Sequence, residues 1–321
     1  MKKYLMIFGA SFVGSLLIMF VVLWFLGFFN QDSALIVSPP TTEPMTAAQL
    51  IPAMPPEDTP FTDPDIINIA AFGLNDGLAD TIIVFSYNQK TNYLNMLSIP
   101  RDTYHHTLGR DEAWERKINA VYSFKEIGGV LGMKRELSDL LGIPIHHYLK
   151  VEFSSVIAIV DTLGGYDVYV PYRMQYDDPY DYPPLHIDIP QGQQHMDGLT
   201  TLKFLRFRKS NDGTIAEGDL VRIPRQQAFV SAMINKALDG KLLAVINTMV
   251  SGKYISTDMT LDQMISLSSK ASTMTEQQQE AHVLPGDVGS FQGLSFFMHD
   301  EEATEEMMYR FYNMEKPTPT P

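Results

Sequence analysis

Residues 81–102 read TIIVFSYNQKTNYLNMLSIPRD, and this stretch decides the fold. It contains two short apolar runs, residues 81–87 and residues 93–99, separated by the polar turn Asn88-Gln89-Lys90. The first run is rich in β-branched residues, which favour strands. Two such runs joined by a short polar turn predict an antiparallel hairpin. We expect the two strands of this hairpin to be central in a sheet.

Strand and helix patterns alternate on both sides of this hairpin. The apolar run at residues 66–72, closed by Gly73, predicts a strand before it. After it, apolar spacing predicts helices at 117–125, 132–141 and 155–163, and strands at 145–153 and 166–170. This alternation predicts an α/β domain in which helices cover a mixed sheet. Arg101-Asp102 would leave the end of a central strand, where open α/β sheets have their ligand crevices.

The N-terminal residues predict one transmembrane helix ahead of this domain. Residues 4–29 carry no charged side chain and follow Lys2 and Lys3. A hydrocarbon core about 30 Å thick needs ~20 helical residues, so this segment is long enough to cross it. It is longer than the ~7–15 apolar residues of a cleaved signal peptide. The two lysines favour a cytoplasmic N-terminus, which predicts that the rest of the chain is extracellular.

Six of the 24 basic side chains of this acidic chain fall in two short stretches. The first stretch is Arg101-Asp102, and the second contains RFRK at residues 206–209 and GDLVRIPRQQ at residues 218–227. Arginine presents a planar charged fork that matches phosphate oxygens. Clustered arginines with interleaved carboxylates suit the binding of a polyphosphate through a metal ion. Phosphoryl chemistry is therefore the leading hypothesis.

The second basic stretch also predicts how its side chains are arranged. Arg222 and Gln226 are four residues apart, so on a helix they share one face. Arg225 would point to the flank of that face. Pro224 is tolerated near a helix start, which places Arg222 near the N-terminus of the helix, where anions are favoured.

Composition bounds the function and the segments of the chain. Cysteine is absent, which excludes disulfides, thiolate zinc sites and a cysteine nucleophile. The formal net charge of −14 argues against nucleic-acid binding through a broad basic face. The expected segments are a cytoplasmic stub and membrane anchor at 1–30, a Pro-rich extracellular linker at 31–64, a catalytic domain at 65–310 and a disordered Pro/Thr tail at 311–321.

Several residues have both a structural and a functional interpretation. Arg101 and Asp102 could form a simple ion pair at a strand end, although the distal arginines favour a site. The pairs His105-His106 and His146-His147 are interpreted as solvated loop histidines, because neighbouring residues do not share a helix face. The acidic aromatic loop at 176–182 is interpreted as a solvated insertion, with a lid or an acceptor-binding rim as the alternatives. Phe229 and Met233 are expected in the core, with a ligand tunnel as the alternative.

Seven short motifs occur in a recognisable order behind the N-terminal apolar segment. They are DTII at 80–83, LSIPRD at 97–102, KINAVY at 117–122, VDTLGG at 160–165, GQQHMDG at 192–198, RFR at 206–208 and DLVRIPRQ at 219–226. With these motifs the sequence resembles the LytR-CpsA-Psr family of cell-envelope proteins. The resemblance covers roughly residues 65–235 and continues more weakly to about residue 310.

The resemblance implies a phosphotransferase that moves a glycopolymer from a polyprenyl-pyrophosphate lipid carrier to a peptidoglycan hydroxyl. It implies an α/β/α sandwich, an apolar tunnel for the prenyl chain, and Mg²⁺ bridging the phosphates. The residues carried over to the pyrophosphate site are Arg101, Lys117, Arg206, Arg208, Arg222 and Gln226. Asp80 would be a metal ligand, and Asp219 would hold an arginine or assist proton transfer. The expected catalytic residues are Arg101, Asp219 and Arg222.

One departure from the family pattern concerns the metal. The family shows Gly-x-Asp before the Asp-Thr motif, whereas residues 73–80 here read GLNDGLAD, with Asn75 at the usual aspartate position. Either Asn75, through its carbonyl oxygen, or Asp76 is then expected to join Asp80 as a metal ligand. Two alternative functions stay open: a pyrophosphohydrolase that uses water on the same lipid, and a non-catalytic protein that binds or escorts the lipid intermediate.

Overall fold

A six-stranded mixed sheet lies at the centre of the structure, a computed structural model that describes residues 59–75, 77–181 and 184–317. The strands in chain order are β1 (Ile66–Asn75), β2 (Leu78–Asn88), β3 (Tyr93–Ile99), β4 (His147–Val151), β5 (Tyr166–Val170), β6 (Met174–Asp178), β7 (Leu185–Ile189), β8 (Gly192–Met196), β9 (Ile255–Thr257), β10 (Gln279–Val283), β11 (Gly286–Phe291) and β12 (Leu294–His299). The sheet has the order β10-β3-β2-β1-β4-β9, and the other strands form three antiparallel pairs. In the sheet β10–β3 and β1–β4 are parallel, and the remaining neighbours are antiparallel.

Helices connect and cover these strands. The α-helices are α1 (Gly129–Leu141), α2 (Phe153–Leu163), α3 (Gly198–Arg206), α4 (Asp219–Leu238), α5 (Leu242–Ser251), α6 (Leu261–Ala271) and α7 (Glu301–Phe311), with 3₁₀ turns at Ala113–Arg116, Ile118–Ser123 and Glu276–Gln278. Among the residues that the structure describes, no helix has the length and apolar character needed to cross a membrane. The predicted anchor at 1–30 and most of the predicted linker lie outside the described residues.

The predicted hairpin is confirmed, and both of its strands are interior. β2 and β3 pair in antiparallel register from Ile82↔Ile99 to Asn88↔Tyr93. β1 lies on the other side of β2, and β10 lies on the other side of β3. Because side chains alternate between the faces of a strand, successive residues of β2 enter different layers of the core. The predicted α/β class with helices on a mixed sheet is thus confirmed.

The two faces of the sheet have separate cores. Ile82 and Val84 pack in a layer with residues of α1 and α7, such as Leu137 and Met308. Ile83 belongs to the opposite layer, which contains Tyr87, Leu94, Met96 and Met274 and contacts side chains of α4 and α6. Phe229 and Met233 of α4 are buried in a third cluster with residues of α2 and α3, in line with the core interpretation.

The packed region includes residues on both sides of the predicted 65–310 segment. Phe61 is buried, and its ring centroid lies 5.0 Å from that of Tyr309 and 5.1 Å from that of Tyr312. The hydroxyl of Tyr312 accepts a hydrogen bond of 2.8 Å from the Asn68 side chain of β1. Both ends of the folded region therefore meet next to the sheet.

The prediction of an α-helix at residues 117–125 is wrong, because residues 118–123 form a 3₁₀ helix. Lys117 has an extended backbone, φ −95° and ψ 132°, and separates two short 3₁₀ turns. The amide groups of Ile118 and Asn119 donate to the carbonyls of Thr103 and Arg101 instead of to a preceding helical turn. The Ala120 amide then donates to the Lys117 carbonyl, three residues back, which is the 3₁₀ pattern and not the α-helical one. The strand predicted at 145–153 is shorter than expected, and Phe153 already begins α2.

The interpretation of the histidines as solvated is wrong for His105. Its side chain is buried, and its Nε2 lies 2.9 Å from Glu136 Oε2 on α1. Burial raises the pKa of Glu136, whereas the hydrogen bonds with His105 and Arg135 lower it. The net result is a pKa below the ordinary value. His105 thus attaches the segment that follows Arg101 to α1.

His146 is half-buried and lies beside β1. Its Nδ1 accepts a hydrogen bond of 3.0 Å from the Asn68 amide. Burial, with His147 and Lys134 as neighbouring charges, holds the pKa of His146 below its ordinary value. The folded protein therefore favours neutral His146, and the unfolded chain takes up the proton at higher pH.

We expect His146 to contribute to acid destabilisation of the fold. Since the folded pKa is depressed, stability is complete above the unfolded value of about 6.5 and falls as pH drops from there towards the folded pKa. In the variant His146→Asn, the introduced side chain can accept a hydrogen bond through its Oδ1 from the backbone amide of Asn68, and it does not titrate. Its free energy of unfolding, measured by urea denaturation between pH 7.5 and 5, should fall less than that of the wild type. Equal pH slopes for the two proteins would contradict this assignment.

Candidate functional site

A pocket lies where the start of β2 and the end of β3 meet the first turns of α4. Its lining residues are Asp80, Thr81, Ile82, Ile83, Ser98, Ile99, Pro100, Arg101, Arg222, Ile223 and Gln226. The empty volume is about 290 Å³, the open mouth included. The pocket brings together Asp80, Arg101, Arg222 and Gln226, which the sequence had placed in one site from three distant segments.

The register of the central hairpin places Asp80 and Arg101 at the same edge of the sheet. Ile82 pairs with Ile99, so Asp80 lies two residues before this pair and Arg101 two residues after it. The Arg101 guanidinium donates from Nη1 to Asp80 Oδ1 over 2.8 Å. The alternative, a simple pair of Arg101 with Asp102, is at most secondary, because Arg101 Nε lies 4.0 Å from Asp102 Oδ2.

Arg208 reaches the same carboxylate from the second basic stretch. Its Nη2 donates to Asp80 Oδ2 over 3.2 Å. The Arg208 side chain is 44% exposed and the Asp80 side chain 18% exposed. Ion pairs at such exposure contribute only about 0–1 kcal/mol each to stability, so they are easily exchanged for other partners. Two guanidinium groups thus share the Asp80 carboxylate.

Arg222 and Gln226 enter the pocket from one face of α4, as their spacing predicts. α4 begins at Asp219 after the N-cap Gly218, so Arg222 lies in the first turn. The residue is buried, with 6% of its surface exposed. The amide groups of a helix N-terminus and the helix dipole favour an anion at this position. The Asp219 side chain lies outside the part of the chain that the structure describes.

Gln227 is a structural contributor that the sequence reasoning missed. Its Nε2 donates to Ser98 Oγ over 3.0 Å and to the His282 carbonyl over 2.6 Å. These bonds attach α4 to β3 and β10, and so hold Arg222 and Gln226 over the end of the hairpin. The sequence signal for this contact was a second polar side chain directly after Gln226, in a helix expected to cover the sheet.

Lys117 and Arg206, both predicted for the pyrophosphate site, are not among the residues that line this pocket. Lys117 Nζ donates to Asp102 Oδ1 over 2.9 Å and lies 5.4 Å from the centre of the Phe296 ring. Arg206 donates to Asp181, and its guanidinium carbon lies 4.3 Å from the centre of the Phe153 ring. Lys117 is therefore connected to Arg101 through Asp102, whereas Arg206 is held at the end of α3.

The interpretation of the acidic aromatic loop as merely solvated is wrong for Asp181. Its carboxylate is 21% exposed and pairs with Arg206. Tyr180, in contrast, is almost fully exposed. Asp181 is therefore a functional candidate that sequence reasoning did not select, and no local pattern marks it, because its partner lies on another element.

The residues present fit a magnesium ion that is bound together with phosphates. Among the residues with a described structure, no cluster of three or more histidine, aspartate or glutamate side chains is arranged for a metal. Magnesium usually takes only one or two carboxylates and completes its shell with water and phosphate oxygens, so the Asp80 carboxylate in this pocket is compatible with it. Asp76 and the Asn75 side chain lie outside the described residues.

Comparison with known proteins gives the family. The LytR_cpsA_psr family model matches residues 63–313. The polyisoprenyl-teichoic acid–peptidoglycan teichoic acid transferase TagU of Bacillus subtilis (strain 168) is 29% identical over 233 residues, which are 72% of this chain and 70% of that protein. TagU of Bacillus licheniformis has the same identity and coverage.

Solved structures show the same fold. The crystal structure of B. subtilis TagV has a TM-score of 0.64 at 23% identity and covers 79% of this chain and 100% of its own. The structure of TagT bound to LIIa-WTA has a TM-score of 0.64 at 22% identity and covers 81% of this chain and 95% of its own. With a family model that matches most of its length and a shared fold, this chain belongs to the LytR_cpsA_psr family.

Proposed function

We propose that this protein is a cell-wall phosphotransferase that moves a glycopolymer, such as a teichoic acid, from a polyprenyl-pyrophosphate carrier to a hydroxyl of peptidoglycan. The observation that carries the proposal is that Arg101 and Arg222 line one pocket with Asp80, while Arg208, which is not among the lining residues, donates to the same Asp80 carboxylate. Family membership and the names of the TagU relatives support it. We further propose that residues 4–29 anchor the chain in the cell membrane with the catalytic domain outside.

The reaction requires a nucleophile and a leaving group on opposite sides of one phosphorus. The acceptor hydroxyl oxygen forms a bond to the sugar-proximal phosphorus, and the bond from this phosphorus to the bridging oxygen breaks. Polyprenyl phosphate leaves with the electron pair of that bond. The hydroxyl proton passes to a base, for which Asp219, at the start of α4, is our candidate. Such a transfer is catalysed mainly by positioning and by neutralising phosphate charge.

The chain supplies this neutralisation from three directions. Arg101 approaches from the end of β3 and Arg208 from the segment after α3, while Arg222 lies at the N-terminus of α4. Arginine forks bind phosphate oxygens in two-point geometry, which also orients the phosphorus for attack. Magnesium, when bound, would neutralise further charge on the phosphates, and Asp80 is the residue that would hold it.

The proposal is tested by following the release of polyprenyl phosphate from a lipid-linked glycopolymer, with and without peptidoglycan oligomers. Release that requires the oligomers supports transfer. Release into water alone would establish the pyrophosphohydrolase alternative, and binding without release would establish the escort alternative.

We expect Arg101→Ala to lower kcat by about 10²–10³, the usual cost of removing one donor that stabilises transition-state charge. The melting temperature should change little, because the Arg101 ion pair is partly exposed. Arg173→Ala is the matched control: it removes an exposed arginine that makes two hydrogen bonds to the exposed Asp188 of β7. Wild-type activity in Arg101→Ala would refute the site assignment.

The pairing of Asp80 predicts that magnesium and pyrophosphate bind in a coupled way. Both Asp80 oxygens accept from arginines, so metal binding to Asp80 and phosphate binding to Arg101 and Arg208 each require these pairs to exchange. In Asp80→Asn, inorganic pyrophosphate without metal should bind as well as in the wild type or up to about fivefold more tightly, since the competing carboxylate charge is gone. The additional affinity that magnesium provides should be lost. Calorimetric titration with and without magnesium measures both effects, and an unchanged magnesium gain would contradict the role of Asp80.

A further inference from the structure

Arg225, next to Gln226 in the second basic stretch, points away from the pocket into a buried network. Its Nη2 donates to Glu217 Oε1, and its Nη1 donates to the carbonyls of Phe204 and Phe207, each over 3.3 Å. Its guanidinium carbon lies 5.0 Å from the centre of the Phe204 ring. The Arg225 side chain is 11% exposed and that of Glu217 only 3%. These bonds direct both terminal nitrogens of the Arg225 guanidinium at other residues of the chain.

The network holds the segment that carries the exposed arginines. The final carbonyls of a helix lack partners within that helix, and here Arg225 supplies a donor at the end of α3. Phe204 lies two residues before Arg206, and Phe207 lies between Arg206 and Arg208, so both carbonyls belong to the segment that carries these arginines. The direction in which the chain leaves α3, and with it the position of Arg208, therefore depends on Arg225.

Glu217 extends the same network to the start of α4. Its amide donates to the Arg208 carbonyl over 2.7 Å. Gly218, the N-cap of α4, follows Glu217 directly, and Arg222 lies in the next turn. Fixing Glu217 thus fixes the distance between the Arg208 backbone and the helix that carries Arg222.

Tyr172, between β5 and β6, completes the network. Its hydroxyl donates to the same oxygen of Glu217 that binds Arg225, and its ring packs against Phe207. Burial, and after it the hydrogen bond to Glu217, raises the pKa of Tyr172 to about 12. The phenol is therefore a permanent donor at any physiological pH.

We propose that Arg225 is a positioning residue that acts, through the buried Tyr172–Glu217–Arg225 network, to set Arg208 and Arg222 at the spacing that a pyrophosphate requires. The inference rests on the proposed function, because it assigns a support to the same phosphate site. It predicts that pyrophosphate affinity and kcat depend on the planar guanidinium of Arg225, although Arg225 does not line the pocket.

The test uses Arg225→Lys in the full chain. Truncation to alanine would leave the Glu217 carboxylate buried without its cation, whereas lysine keeps the charge but is a point donor that cannot bind the carboxylate and two carbonyls together. We expect inorganic pyrophosphate to bind about 5–30-fold more weakly by calorimetry, with kcat lowered and the protein folded by circular dichroism. Arg173→Lys, the same exchange at an exposed ion pair, should leave pyrophosphate affinity and kcat unchanged.

A double-mutant cycle separates positioning from general destabilisation. If Arg225 acts through Arg208, the affinity loss caused by Arg225→Lys should shrink to less than half in an Arg208→Ala background. Full additivity, or a lowered melting temperature with unchanged affinity and kcat, would overturn the proposal. If Arg225→Lys does not fold, Tyr172→Phe, which removes one hydroxyl, carries the same expectation with a two- to threefold effect, and unchanged affinity in that variant overturns it.

The two arms of the experiment distinguish this proposal from the proposed function. A wild type that binds pyrophosphate but releases no polyprenyl phosphate contradicts the phosphotransferase, and the affinity arm still decides the role of Arg225. A wild type that does not bind pyrophosphate overturns both.

Discussion

The Asp80 carboxylate is the point on which the site depends. Its two oxygens accept from Arg101 and Arg208, which belong to segments more than a hundred residues apart in the sequence. The carboxylate can do this because the hairpin register places it at the sheet edge where β3 ends. The Asp80 carboxylate thus keeps two guanidinium groups close together, and their mutual repulsion is reduced by the group between them.

The site combines candidate ligand-binding side chains with partly or fully buried side chains that hold them in place. Arg208 is exposed and exchangeable, while Arg225, Glu217 and Gln227 are fixed by bonds to backbone carbonyls and to neighbouring elements. This division suits a chain of net charge −14. The negative surface as a whole repels an anionic ligand, and the clustered arginines of the pocket attract it. The supporting side chains determine geometry, and Arg101, Arg208 and the buried Arg222 provide charge.

The local sequence pattern was sufficient to predict those elements whose contacts are formed by residues close together in the sequence. The β2–β3 hairpin and the shared face of Arg222 and Gln226 were predicted in this way. It failed at residues 117–125, where the turn hydrogen bonds span three residues, as from the Ala120 amide to the Lys117 carbonyl, and no α-helix forms. His105 and Asp181 were likewise assigned to solvent because Glu136 and Arg206 cannot be located from the sequence alone.

The central claim, that this pocket catalyses transfer of a phosphate-linked glycan to peptidoglycan, is tested most directly by the fate of the sugar-proximal phosphorus. A lipid-linked glycopolymer labelled with ³²P at that position is incubated with the full-length protein, magnesium and peptidoglycan. We predict that the label becomes covalently attached to peptidoglycan while unlabelled polyprenyl phosphate is released in equal amount. Label recovered in free glycopolymer, or retained in the lipid, would contradict it.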